Sequence, residues 1–136
     1  TAEGRKTTEQ WLYPGYYLQL SYGNLGLGGG AYFLEKDQLQ KVRRAIVADP
    51  KTFHRVMEAP AFTEKFGGIR GETNKLLPPE FKEAAKTEPL LFNKQYWFMA
   101  ELDPEQALRP DVVEFVAEYF KAAKPVNDYF RKALGM

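Results

Sequence analysis

The chain has 136 residues, enough for one domain with a sizeable core. Hydrophobic residues make up 44% and aromatics 15%, a composition that argues for a folded rather than a disordered chain. Lys and Arg number 19 against 18 Asp and Glu, so the basic excess of a dedicated nucleic-acid binder is missing.

Residues 1–15, "TAEGRKTTEQWLYPG", lack a clear period and read as a loop. "YYLQLSY" then alternates, with Tyr16 and Leu18 on one face and Tyr17 and Gln19 on the other. That pattern predicts a half-buried strand. Gly23-Asn24 marks a turn, and "GGGAYFL" resumes as a second strand of a hairpin. Asp37 is the expected N-cap of the first helix, whose stripe is Leu39, Val42 and Ile46. Asp49-Pro50 caps and opens a second helix with Phe53, Val56 and Met57 inward. "APAFTEKFGG" predicts a short helix ended by glycines, and residues 67–79 are irregular. Pro79 opens a helix through Lys86. "LLFNKQYWFMAEL" gives the strongest strand signal in the chain. Asp103-Pro104 starts a brief helix. From residue 112 an amphipathic pattern runs to the end, with a kink or split expected at Pro125. The whole predicts an α+β domain: a small antiparallel sheet packed against helices, with C-terminal helices.

The glycines of "GNLGLGGGAYFL" nearly satisfy the dinucleotide fingerprint, but their context is wrong. Strand-like "AYFL" separates them from the helix, so a phosphate would meet no helix N-terminus. No Lys-Ser/Thr follows for a P-loop. A structural role is the expectation, through positive φ, a bulge or close backbone approach.

Chemistry is sparse. The absence of cysteine removes disulfides, thiolate zinc sites and Cys nucleophiles, and fits a cytoplasmic protein. No apolar run is long enough to span a bilayer. Ser21, the one serine, lies mid-strand outside a nucleophile elbow. His54, the one histidine, lacks ligand-spaced partners, so a structural or solvated role is expected and no metal is implied. Lys94 is more informative. On a strand over 90–102 it would be the single charge on an apolar row of Leu90, Phe92, Tyr96 and Phe98. A buried ammonium of that kind suits an anion, a base or a Schiff base. Its bland alternative is an edge lysine that snorkels to water. Arg5 and Lys6 share a loop, and Lys75 lies in another, so all four cations would make an anion pocket if they converged.

"EGRK…YPGYYLQL", "LGGGAYF…LQKVRRAI…DPKTF", "GETNKLLPPEF" and "EPLLFNKQYWF" occur in an order that resembles a bacterial family of conserved proteins, the domain of unknown function 2461 family. The matching positions here are Gly4, Arg5, Lys6, Tyr16, Tyr17, Gly28, Gly29, Lys75, Pro78 and Lys94. The resemblance implies an α+β domain in a bacterial cytoplasm, and it implies no activity or cofactor. It also implies a further N-terminal helical segment, so residues 1–136 are expected to be a single domain lacking that piece. The expected function is binding of a small anionic ligand by Arg5, Lys6, Lys75 and Lys94, with hydroxyl contacts from Tyr16 and Tyr17. Catalysis stays open. The alternative is an interaction or oligomerisation module whose uncovered face takes a second copy or a cleaved N-terminal fragment.

Overall fold

The computed structural model describes residues 15–21 and 23–136. Strands β1 (Gly15–Ser21) and β2 (Asn24–Ala31) form an antiparallel hairpin, with Gly23 in its turn at φ 83°. Strand β3 (Tyr96–Leu102) pairs antiparallel with the other edge of β2, so β2 is central. Its register sets Tyr96 opposite Ala31, Phe98 opposite Gly29 and Ala100 opposite Leu27. Facing residues in such a ladder share a side. The resulting inner face of Leu25, Leu27, Tyr96, Phe98 and Ala100 is buried.

Five α-helices lie among the described residues, and the first two are capped by side chains. They are α1 (Lys36–Ala48), α2 (Pro50–Met57), α3 (Pro60–Phe66), the short α4 (Pro79–Lys82) and α5 (Val112–Ala133). The α+β class and the antiparallel sheet therefore match the sequence expectation. Helix α5 lies across β2 and also packs on α1, α2 and α3. Its Val126 and Phe130 are fully buried, and Phe130 stacks near Tyr96 with centroids 5.4 Å apart. The buried Asn127 accepts the Gly30 N–H at 3.0 Å, which pins the helix to the central strand.

The glycine run lies within β2 rather than before it, and α1 starts only after Tyr32–Glu35. A side chain at Gly30 would meet the Tyr96 carbonyl oxygen at 2.4 Å, and its φ of 104° favours glycine. The run is a close crossing between backbones, as the sequence context indicated.

Five local expectations are corrected. The N-cap of α1 is Glu35, not Asp37, because Gln38 reaches back to accept the Glu35 N–H at 2.9 Å. The helix opened by Pro79 ends at Lys82, and a separate 3-10 turn covers Ala84–Lys86. The C-terminal segment is one helix through Pro125, not two. Pro125 faces solvent, as does Lys121, whose carbonyl Pro125 leaves without an intrahelical donor. The strand expected over 90–102 starts only at Tyr96. Pro89–Phe92 is instead a 3-10 turn, whose Leu90 N–H is accepted by Glu88 at 3.3 Å. β1 is also less buried than a half-buried strand implies, with Tyr16 and Leu18 46% and 58% exposed.

Among the described residues, no helix is long and apolar enough to cross a membrane.

Candidate functional site

Among the described residues Arg43 is the most deeply buried charged side chain, at 1% exposure. It lies four residues after Leu39 and three before Ile46, which puts it on the buried stripe of α1. Its Nε donates to the Leu91 carbonyl at 2.8 Å and one terminal nitrogen donates to the Asn93 carbonyl at 3.2 Å. The other terminal nitrogen donates to Gln40 Oε1 at 3.3 Å. The Tyr96 phenol lies beside it and donates to the Leu90 carbonyl at 2.7 Å. Burial lowers the Arg43 pKa from its ordinary value, but an arginine keeps its proton in a protein. Burial likewise pushes the Tyr96 phenol well up, so it is neutral. The guanidinium is thus met by carbonyls, an amide and a phenol, all uncharged. Among the described residues no carboxylate pairs with it. A buried charge without a counter-charge is an unusual arrangement.

Arg43 lines an open cleft of about 560 Å³. One wall is α1 with Lys36, Leu39 and Gln40, entered through Tyr32–Leu34. The facing wall comes from two segments that run side by side. Lys94 N–H donates to the Glu72 carbonyl at 2.8 Å, and Asn74 N–H donates to the Phe92 carbonyl at 2.7 Å. Arg70 and Trp97 exchange backbone hydrogen bonds at 2.7 and 3.0 Å. The stretch 67–79, irregular by sequence, therefore borders the chain leading into β3. Gly71 makes this possible, since a side chain there would meet the Gln95 carbonyl oxygen at 2.1 Å.

Of the residues singled out by sequence, Lys94 lines the cleft. It is not the buried charge expected of it. Its side chain is 43% exposed and its ammonium meets Glu72 at 3.3 Å, because the turn at Pro89–Phe92 takes Lys94 out of the apolar row. Lys75 is exposed and outside the lining, although Asn74 and Pro78 on either side of it are in it. Tyr16 packs on Phe120 of α5 with centroids 4.9 Å apart, and Tyr17 donates to Gln19 at 2.8 Å. Neither tyrosine lines the cleft. Arg5 and Lys6 lie outside the described residues. Sequence reasoning missed Arg43, Lys36, Tyr32 and Phe33. For Arg43 a signal was present, since Leu39, Arg43 and Ile46 share one helical stripe. For the others only three-dimensional placement reveals a common site.

The single histidine forms a separate cluster. His54 Nε2 meets the buried Glu88 carboxylate, and Nδ1 meets Glu58 at 3.2 Å. Both ring nitrogens have a carboxylate partner. Among the described residues no group of three is placed to hold a metal ion. The cleft is lined by charged side chains of both signs, by amides and by aromatic surface.

A family model described as conserved hypothetical protein (DUF2461) matches residues 2–129. No curated protein and no solved structure matches the chain.

Proposed function

The chain belongs to the conserved hypothetical protein family DUF2461, a family of unknown function, and we propose that its role is to bind a small anion in the cleft over Arg43. The observation that carries this reading is the buried guanidinium with only neutral acceptors. An anion entering the cleft supplies the missing counter-charge. Lys36 has no ion pair among the described residues and stands in the same lining. Lys94 is held by an exposed pair with Glu72, an interaction of little net strength, so it can turn to a ligand at small cost. Arg43, Lys36 and Lys94 are the cations of the cleft; of the set expected from sequence, Lys94 lines it, Lys75, Tyr16 and Tyr17 do not, and Arg5 and Lys6 lie outside the described residues.

Isothermal titration with inorganic phosphate at low ionic strength tests the reading. Lys36→Ala and Lys94→Ala should each weaken binding by about tenfold, the worth of one charge-assisted contact. Glu72→Gln should strengthen it several-fold by removing the competing carboxylate. Lys121→Ala, on α5 and outside the cleft, should change nothing. No saturable heat, or an affinity indifferent to both cleft lysines, overturns the proposal.

A further inference from the structure

The cleft is larger than a tetrahedral anion requires. At about 560 Å³ it lies in the roughly 300–1,000 Å³ range of sites that hold whole small organic molecules. The remaining space has a chemical character of its own. Tyr32 and Phe33 line it, and they stand 41% and 45% exposed although both are large and aromatic. Their rings meet edge to face, with centroids 4.8 Å apart and planes at 72°. Tyr32 is also supported by Trp97 of β3 at 6.0 Å. The backbone here has little freedom. β2 ends at Ala31 and the cap of α1 is Glu35, so Tyr32–Leu34 is a three-residue connection anchored at both ends. Exposed rings on an anchored connection form a preorganised surface, and a flat π-system is the complement that buries them.

Resting on the anion-binding reading above, we infer that the cleft takes a ligand in which the anionic group is carried on a planar ring: the anion meets Arg43, Lys36 and Lys94, and the ring packs on Tyr32 and Phe33. Nucleoside monophosphates and aryl phosphates or carboxylates share this chemistry. No covalent step is implied.

Three probes separate the contributions: phenyl phosphate, methyl phosphate of the same charge without the ring, and benzyl alcohol with the ring and no charge. Phenyl phosphate should bind about tenfold more tightly than methyl phosphate. Tyr32→Ala and Phe33→Ala should each reduce that advantage to within about threefold, with methyl phosphate affinity unchanged. Melting temperatures of the variants are recorded beside the affinities, and Phe33→Leu provides a milder second variant. Equal affinity for the two phosphates refutes the ring and leaves the anion reading standing. Binding of neither phosphate refutes both. Benzyl alcohol binding as tightly as phenyl phosphate also overturns the inference, because it would make the site an apolar one. Adenosine monophosphate, assayed beside phenyl phosphate, then reports whether a nucleoside ring is accepted.

Discussion

His54 is gripped at both ring nitrogens by carboxylates, one of them the buried Glu88. Burial alone opposes its charge, and the hydrogen bond to Glu58 with the Glu88 charge outweighs that, so its pKa is raised from the ordinary 6.5. The sign of the linkage follows. A raised folded-state pKa means the protonated form is favoured by folding. The stabilisation is complete below the unfolded value and is lost as pH rises through the higher folded value. Denaturant midpoints should therefore fall as pH climbs from about 6 to about 8, and His54→Gln should flatten that slope. A wild-type slope that survives the substitution would contradict the assignment. Glu88 also accepts the Leu90 N–H, so the same carboxylate helps hold the turn whose carbonyls receive Arg43. The two cations compare instructively at this scale. Lys94 looked buried because alternation was extended through Pro89–Phe92, where the chain in fact turns. Arg43 is not singled out by residue type, although its helical position places it inward.

At the scale of elements, hydrophobic period and cap chemistry were legible and the ends were less so. Asp49-Pro50 opens α2 as expected, with Asp49 accepting the Thr52 N–H at 3.2 Å. Gly67 ends α3 in the left-handed conformation at φ 80°. The brief helix after Asp103 is a 3-10 turn over Pro104–Leu108. Pro125 misled because proline reports a lost donor, while the cost depends on where the orphaned carbonyl points. With Pro125 on the solvent side, and with Ala123, Val126, Asn127 and Phe130 buried around it, packing carries the helix through. The local penalty remains. Pro125→Ala should raise stability by about 1–3 kcal/mol in chemical denaturation, since alanine restores the bond to Lys121 and keeps every buried contact. An unchanged or lower stability would mean that Pro125 serves the native packing directly.

For the whole molecule, the α+β class was readable because each element declares its own period. The site was not, because it is assembled from separate stretches: the connection into α1, the irregular chain around Glu72 and the residues ahead of β3. No local pattern brings Lys36 near Lys94. That convergence depends on β2 and β3 being neighbours, and on residues 70–74 running beside the chain that enters β3. The close crossings at Gly30 and Gly71 keep those layers tight, which explains the glycines without any phosphate on the glycine run itself. On the reading proposed above, the buried Arg43 guanidinium, which has no carboxylate partner among the described residues, is completed by an incoming anion. That reading is tested most directly by nuclear magnetic resonance, following the Arg43 side-chain Nε–H during titration with inorganic phosphate. A saturable shift of that resonance, together with the backbone amides of Tyr32–Leu34 and Asn93–Gln95, is the predicted result. A motionless Arg43 signal, or weak linear shifts spread over surface lysines, would contradict it.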